Sequence, residues 1–300
     1  MNFEQQLQAK TGQIEALLED WFPAETGCQK TVFTAMNYAI NAGGKRLRPM
    51  LMAETWRLFG GTNESVLSPF MAAIEMIHTY SLIHDDLPAL DNDEYRRGRQ
   101  TTHVVFGEAM AVLAGDGLLN YAFETASAAF DAADAHELPA VARAMQVLAK
   151  KPGIYGMIGG QVVDVERTGQ PLDGATLDFI YRNKTSALIE CAMMIGAILA
   201  GASAQDVAAV EAAATAIGVA FQIQDDILDI TGSMEELGKP IGSDEKNDKT
   251  TYVSLNGMDA AVKAVERLSL KAVDLLHSLG VENHNPFLKE LILWLIHRKK

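Results

Sequence analysis

The sequence contains few cysteines and few basic residues, and each scarcity excludes whole classes of protein. Its two cysteines, Cys28 and Cys191, form neither a disulfide framework nor a zinc-ligand spacing, which is typical of proteins in a reducing cytosol. With 25 basic residues against 39 acidic ones, the formal net charge is −14, whereas nucleic-acid binding requires a basic surface. We therefore expect no nucleic-acid partner.

A secretory or membrane-spanning segment is also missing from the sequence. The longest apolar run, from Cys191 to Ala202, is too short to cross a bilayer. The N-terminal region carries Glu4, Glu15 and Glu19 where a signal peptide has an apolar stretch. We expect a cytoplasmic location and no stable association with membranes.

Alternating runs of β-branched residues are nearly absent, so β-strands are not expected. Apolar residues instead recur with helical spacing along most of the chain, and 48% of the residues are hydrophobic, which is ample for a large core. Helices are predicted at residues 3–21, 29–41, 50–59, 65–87, 103–131, 137–150, 153–168, 173–201, 204–231, 258–279 and 286–298. We predict an all-α fold in a single domain over residues 1–300.

Two of the predicted helices end in acidic clusters. The first cluster contains Asp85, Asp86 and Asp91, and the second contains Asp225, Asp226 and Asp229. Pro88 breaks the first helix, which lets Asp91 bend back towards Asp85. Asp225 and Asp229 are four residues apart and therefore lie on one helical face.

Clustered carboxylates favour a bound cation, because at about 4 Å each pair repels by roughly 1–4 kcal/mol. One or two carboxylates together with phosphate oxygens are the usual ligands of Mg²⁺. A solvated acidic turn explains either cluster alone. Two clusters on helices that face each other favour several Mg²⁺ ions, and this is our prediction.

The scarce basic residues concentrate near these clusters. The first acidic cluster is preceded by Lys45, Arg46 and Arg48 and followed by Arg96, Arg97 and Arg99. The loop after the second cluster contains Lys239, Lys246 and Lys249. Pro49 suits the first turn of a helix, and a helix N-terminus beside cations is a typical anion site. A loop as long as residues 232–252 is usually functional or disordered, and its lysines favour a cover over phosphate. A basic surface turn is the alternative for residues 44–49.

Other phosphate and metal motifs are excluded by their spacing: the sequence has no phosphate loop, calcium loop or His-Glu-x-x-His zinc motif. What remains is two carboxylate clusters, several cations and an apolar helical interior. Magnesium held by carboxylates stabilises a diphosphate as a leaving group. This combination predicts the ionisation of an allylic diphosphate.

The motifs together resemble those of the trans-prenyl diphosphate synthases, especially the bacterial farnesyl diphosphate synthases, over essentially the whole chain. They are Gly43–Pro49, Asp85–Asp91, Arg96-Arg97-Gly98, Gly159-Gly160-Gln161, Lys184-Thr185, Phe221–Asp229 and Lys239…Lys249-Thr250-Thr251-Tyr252. The resemblance implies the isoprenoid synthase fold, a helical bundle around a central apolar cavity. It also implies a homodimer and a Mg²⁺-dependent condensation of isopentenyl diphosphate with allylic diphosphates.

The resemblance further implies a role for individual residues. The metal ligands would be Asp85, Asp91 and Asp225, supported by Asp86 and Asp229. The allylic diphosphate would contact Arg96, Lys184, Lys239 and Lys249, and isopentenyl diphosphate would contact Lys45, Arg48, His78 and Arg97. Oxygens at Lys184, Thr185 and Gln222 would steady the carbocation, and the released pyrophosphate would act as the base.

Product length is predicted from the helix that ends in Asp85. Tyr80 lies five residues earlier, about 7.5 Å lower at the helical rise, and with Ser81 it would form the floor of the chain cavity. The family's aromatic residue here favours a farnesyl product. The alternatives are a geranyl or geranylgeranyl diphosphate synthase, a non-catalytic partner subunit and a terpene cyclase. The basic tail Ile296–Lys300 matches the family only loosely.

Overall fold

The structure, a computed structural model, describes residues 1–231 and 249–296. Lys239, Lys246 and the end of the basic tail therefore lie outside the described residues. The α-helices are α1 Phe3–Glu19, α2 Lys30–Ile40, α3 Leu47–Leu58, α4 Glu64–Asp85, α5 Thr102–Phe106, α6 Glu108–Ser127, α7 Ala129–Ala132, α8 Leu138–Lys150, α9 Met157–Arg167, α10 Gly174–Ile180, α11 Ala187–Leu199, α12 Ala204–Thr231, α13 Tyr252–Asn256, α14 Met258–Ser278, α15 Val281–His284 and α16 Pro286–Ile296. A π-helix, Tyr181–Ser186, joins α10 to α11, and strands β1 (Tyr95–Arg96) and β2 (Arg99–Gln100) form a hairpin.

The chain divides into two compact units. The first unit contains Met1–Met50 and Asn63–Leu138, and the second contains Leu51–Thr62 and Pro139–Lys300. We describe each unit by itself, and the single domain stays a prediction.

Helix α4 is the core of the first unit, and it packs against α2 and α6. It is buried over most of its length, with Phe70, Ile74 and Ile77 fully buried, as expected for a helix enclosed by its neighbours. Its last turn approaches α6 at Gly115, where a Cβ atom would lie 2.1 Å from the His84 imidazole. The absent side chain therefore lets α6 contact the end of α4 that carries the first acidic cluster.

Helix α12 is the core of the second unit, and it packs against α11, α14 and the π-helix. The buried carboxylate of Glu190 in α11 accepts hydrogen bonds from Lys151 and from the Thr215 hydroxyl of α12, the latter at 2.6 Å. Lys151 also donates to Glu211 at 2.7 Å. These charged side chains compensate one another, which allows them to lie in an otherwise apolar core.

The structure differs from the sequence prediction at two places in the first unit. The helix predicted over residues 103–131 is three helices, because Gly107 adopts a positive φ of 84° between α5 and α6. The β1–β2 hairpin contradicts the expectation of no strands, and its turn contains Arg97 and Gly98 at φ 52° and 74°. Positive φ at both central residues is typical of a tight hairpin turn, so this hairpin depends on turn geometry and not on β-branched residues.

Two helices, Glu64–Asp85 and Ala204–Thr231, have the length and apolar composition of a membrane span. The structure buries 78% and 56% of their most apolar windows, and core helices of water-soluble proteins pass the same test. The absence of membrane association stays a prediction.

Candidate active site

The first acidic cluster lies where α4 ends. Asp85 is the last residue of the helix, and the backbone N–H of Asp91 donates to the Asp85 carbonyl at 2.9 Å. Asn92 adopts a positive φ of 52°, and its N–H donates to the Leu87 carbonyl at 3.1 Å. The chain therefore turns back after Pro88 as predicted, and it brings the backbones of Asp85 and Asp91 together.

Asp86 of this cluster is paired with Arg96 of β1. The Arg96 Nε atom donates to Oδ1 and Oδ2 of Asp86 at 2.7 and 3.0 Å, and Nη2 lies 2.5 Å from Oδ1. Burial raises the pKa of Asp86, the charges of Asp93 and Asp91 raise it further, and Arg96 opposes the rise. A direct metal bond at Asp86 would compete with this bidentate pair.

A cationic group lies elsewhere in the first unit. Burial lowers the pKa of Arg48 to about 10, with Glu75 opposing and Arg97 adding to the shift, so Arg48 remains charged at neutral pH. The pKa of His78 lies well below its ordinary value, because the ring is buried and Arg48 and Arg97 repel a positive charge there. His78 is therefore a neutral hydrogen-bonding group beside two guanidinium groups.

The turn at Gly43-Gly44 supports this cationic group. Arg97 donates a hydrogen bond to the Gly43 carbonyl. A Cβ atom on Gly44 would lie 2.5 Å from Arg97 Nη1, and its φ of 134° also favours glycine. The family resemblance implied one site for Lys45, Arg48, His78 and Arg97. The structure brings the last three within electrostatic influence of one another, while Lys45 is exposed.

Arg46 differs from its neighbours Lys45 and Arg48, because it forms a buried ion pair. Its Nη1 donates to Glu75 at 2.8 Å, and Nη2 donates to the Ile40 carbonyl at 2.7 Å. The sequence grouped Arg46 with the anion-binding cations, and this interpretation was wrong. Nothing in the local sequence distinguishes it, since its partner Glu75 is 29 residues away.

The second acidic cluster ends α12. Asp225 is half-buried, and Asp226 and Asp229 are buried. Asp226 accepts a hydrogen bond from the Tyr181 hydroxyl and another, at 2.8 Å, from the backbone N–H of Tyr252. These two donors hold the Asp226 carboxylate in place. The metal-binding roles of Asp225 and Asp229 stay predictions.

Lys184 and Thr185 lie in the π-helix, an element that the sequence predicted as ordinary α-helix. The Lys184 Nζ atom lies 2.6 Å from Asp164 Oδ2, and Thr185 donates to Gln222 Oε1 at 2.8 Å. A π-helix inside an α-helix is frequently found at a functional site. The structure therefore brings Lys184, Thr185 and Gln222 together, and it adds Asp164, which the sequence analysis missed.

Two glycines hold the π-helix at close range. A Cβ on Gly160 of α9 would lie 2.2 Å from the backbone nitrogen of Lys184. A Cβ on Gly218 of α12 would lie 2.4 Å from Ser186 Oγ. The sequence analysis did not predict this contact, although a glycine inside a predicted helix is a signal that could have indicated close packing.

Tyr80, which was predicted to form the floor of the chain cavity, is a buried residue of α4. The residue is 5% exposed, its ring meets His84 edge to face at 5.7 Å, and its hydroxyl has no hydrogen-bond partner among the described residues. Burial raises the pKa of Tyr80 to about 12, and the nearby charge of Asp85 contributes. The adjacent Ser81 donates to the His78 carbonyl at 2.9 Å.

The donor atoms in both clusters suit magnesium. Among the described residues no three His, Cys, Asp or Glu side chains form a ready-made metal site. Magnesium usually combines one or two carboxylates with water and substrate phosphates and does not need a cage of protein ligands. The carboxylates of Asp85 and Asp91 in the first unit, and separately that of Asp225 in the second, are therefore of the ligand type that suits magnesium arriving with a diphosphate.

Helices ending in carboxylates, with lysine and arginine near them, define a class of helical enzymes that act on diphosphate esters. This chain belongs to the polyprenyl synthetase family, which it matches over residues 29–274. It is 44% identical to the farnesyl diphosphate synthase of Geobacillus stearothermophilus over 262 residues, covering 87% of this chain and 86% of the relative. It is also 45% identical to a geranylgeranyl diphosphate synthase of Cyanophora paradoxa over 240 residues, covering 79% and 78%.

Solved structures show the same fold. An apo FPP/GFPP synthase from Zymomonas mobilis has a TM-score of 0.85 and 33% identity, covering 98% of this chain and 99% of that one. A geranyltransferase from Helicobacter pylori, complexed with magnesium and isoprenyl diphosphate, has a TM-score of 0.84 and 29% identity, covering 99% and 97%. These comparisons confirm the predicted family and the all-α isoprenoid synthase fold.

The protein is accordingly a prenyl diphosphate synthase, a prenyltransferase of isoprenoid biosynthesis. Its family uses isopentenyl and allylic diphosphates and is generally magnesium-dependent. The roles of individual residues stay predictions.

Proposed function

We propose that this protein is a farnesyl diphosphate synthase, which adds isopentenyl diphosphate to dimethylallyl diphosphate and then to geranyl diphosphate. The observation that carries the product length is the position of Tyr80, buried five residues before Asp85 on α4. Each isoprene unit adds roughly one helical turn of length. A ring at this depth therefore stops the chain after two or three units, and the resemblance to farnesyl-forming enzymes selects three.

The allylic substrate would bind through its diphosphate. Asp85, Asp91 and Asp225 would be the magnesium ligands, and the metal would supply the charge that stabilises the departing pyrophosphate. Lys184 and Lys249 contact the diphosphate oxygens and orient the ester. Preorganised charges of this kind stabilise the transition state more than the ground state, because negative charge grows on the leaving group.

Isopentenyl diphosphate would bind without metal, at Lys45, Arg48, Arg97 and His78. Arginine offers bidentate hydrogen bonds to phosphate, and the neutral His78 adds a hydrogen bond without a further charge. The two diphosphates are thus distinguished by their partners, carboxylate-bound metal for one and guanidinium groups for the other.

The reaction follows from this arrangement. The allylic C–O bond breaks, and the double bond of isopentenyl diphosphate attacks the resulting carbocation to form the new C–C bond. Oxygens of Thr185, Gln222 and the Lys184 backbone stabilise the positive charge, and the pyrophosphate takes the proton that is lost.

A geranylgeranyl product is the second candidate, because geranylgeranyl diphosphate synthases are as similar to this chain as the farnesyl enzymes are. The test is chromatography of the products formed from dimethylallyl and isopentenyl diphosphates with magnesium. We expect a fifteen-carbon product, with the ten-carbon diphosphate as a transient. A twenty-carbon main product would reject the farnesyl assignment and keep the family, whereas no condensation at all would reject catalysis by this chain.

We further propose a homodimer in the cytoplasm, on the basis of the family resemblance and the cysteine usage. Sedimentation of the purified protein tests the dimer.

A further inference from the structure

Two groups from separate segments of the second unit meet at Asp226. The Tyr181 hydroxyl donates to Oδ2 of Asp226. The backbone N–H of Tyr252 lies 2.8 Å from the same oxygen and 3.0 Å from the Tyr181 hydroxyl. Asp226 and Tyr181 are 2% and 6% exposed, so these hydrogen bonds are shielded from water.

The two segments joined at Asp226 carry the predicted diphosphate ligands of this unit. Tyr181 is the first residue of the π-helix, which contains Lys184 and Thr185. Tyr252 is the first residue of α13 and follows Lys249 by three positions. The N-cap of α13 is Thr251, whose side chain accepts from the Ser254 N–H, so the backbone direction at Tyr252 is fixed locally.

We propose that Asp226 is a positioning residue that holds the Lys184 segment and the Lys249 segment together, and not a metal ligand. This inference rests on the proposed function, because there Lys184 and Lys249 contact the allylic diphosphate. Tyr181 acts with Asp226, since its hydroxyl touches both the carboxylate and the Tyr252 N–H.

The geometry separates Asp226 from its neighbours in the cluster. Its Oδ2 accepts from two donors, and its Oδ1 lies 3.4 Å from the Gln222 side-chain amide, a weaker contact. Metal binding through Oδ2 would leave the Tyr181 hydroxyl and the Tyr252 N–H without this buried acceptor. Burying a donor without an acceptor costs free energy. When Asp226 instead links the two segments, the backbones at Lys184 and Lys249 are held in place before the substrate binds.

The same link favours tight diphosphate binding. Charges that are already in position lose little conformational freedom when the ligand binds. The π-helix is further held by Gly160 and Gly218, so Asp226 fastens the Lys249 segment to a rigid element.

Hydrogen exchange at the Tyr252 amide tests the link without any reaction. Tyr181→Phe removes only the hydroxyl, and Asp226→Ala removes the acceptor. We expect both to speed exchange of this amide by at least about tenfold, because exchange follows the opening of its hydrogen bond. Tyr155→Phe, the same change at a side chain that is 78% exposed, is the matched control and leaves the rate unchanged.

Calorimetric titration with magnesium pyrophosphate tests the consequence. We expect Tyr181→Phe and Asp226→Ala each to weaken binding by at least about fivefold, and the double variant to add little, since both remove one link. Asp226→Asn retains an acceptor and restores part of the affinity. The magnesium concentration for half-saturation stays within about twofold of the parent in Tyr181→Phe and Asp226→Asn.

Two results would overturn the inference. One is an unchanged exchange rate of the Tyr252 amide in the Tyr181→Phe variant. This variant keeps the test available even if Asp226→Ala does not fold. The other is an Asp226→Asn variant that raises the magnesium requirement as much as Asp225→Asn does. Failure of the parent protein to condense prenyl diphosphates would reject the proposed function. The hydrogen-exchange measurement would still test whether Asp226 links the Lys184 and Lys249 segments.

Discussion

Arg46 and Arg48 are two residues apart, but their side chains have different surroundings and different consequences for the protein. Arg46 is enclosed by Glu75 and the Ile40 carbonyl, so its charge is used within the fold. Arg48 keeps its charge beside Arg97 and the neutral His78, an arrangement of repelling cations that an anion relieves. The first residue therefore serves stability, and we propose that the second serves binding.

We expect Arg46→Met to lower the free energy of unfolding by about 3–5 kcal/mol, because it leaves the buried Glu75 carboxylate unpaired. Urea denaturation measures this loss. Adding Glu75→Leu should recover most of it, since apolar replacement of both partners removes the unpaired charge. An Arg46→Met protein as stable as the parent would show that the pair does not stabilise the fold.

Arg48→Met is expected to act on substrate affinity. Loss of a charged hydrogen bond costs about 1.5–3 kcal/mol, so the KM for isopentenyl diphosphate should rise at least about tenfold. The KM for the allylic substrate should change far less. If steady-state kinetics showed an unchanged KM for isopentenyl diphosphate, the assignment of this site would be wrong.

Tyr80 controls product length in this account. Tyr80→Ala opens the floor and should shift the main product from fifteen carbons to twenty or more, at a stability cost of about 3–5 kcal/mol. Tyr80→Phe is the matched control: it keeps the ring and removes a hydroxyl that has no partner among the described residues, so product and stability should be unchanged. A folded, active Tyr80→Ala enzyme that still stops at fifteen carbons would exclude Tyr80 as the floor.

At the scale of elements, the sequence predicted helices well where one apolar pattern persists, as in α4 and α12. The π-helix was missed, because its hydrogen bonding depends on tertiary contacts with Gly160 and Gly218, which local periodicity does not contain. The β1–β2 hairpin was missed for a similar reason, since Arg97 at positive φ carries no hairpin signal in the sequence.

The same limit applies to the candidate site. Carboxylates and cations were found because they break an apolar pattern that is visible in the sequence. Their hydrogen-bond partners were not predicted. Asp164 pairs with Lys184, which is 20 residues away, and Asp226 pairs with Tyr181, which is 45 residues away. Spacing predicts neither contact, since each depends on how the helices pack.

Gly218→Ala tests the packing of the π-helix. The added Cβ would lie 2.6 Å from the Ser186 Cα, and overpacking of this kind costs about 1–3 kcal/mol. We expect a corresponding loss of unfolding free energy and weaker binding of magnesium pyrophosphate. Gly174→Ala is the control, because its Cβ would meet no atom within 4 Å. If Gly218→Ala and Gly174→Ala had the same unfolding free energy and bound magnesium pyrophosphate equally well, the π-helix would tolerate displacement.

For the whole molecule, the net charge of −14 makes the binding of a diphosphate unfavourable unless cations intervene. The arginines and lysines provide some of them, and we propose that metal at the two acidic clusters provides the rest. The central claim of this account is therefore that the allylic diphosphate binds through metal held by Asp85 and Asp225.

Thermal unfolding with magnesium and pyrophosphate, compared with pyrophosphate and a chelator, tests this claim most directly. At about 100 times the dissociation constant a ligand contributes roughly 2.7 kcal/mol, so magnesium and pyrophosphate together should raise the Tm by at least about 5 °C. Asp85→Asn and Asp225→Asn should each lose most of this rise, and pyrophosphate with chelator should produce little. An equal rise in the presence of chelator would contradict the claim.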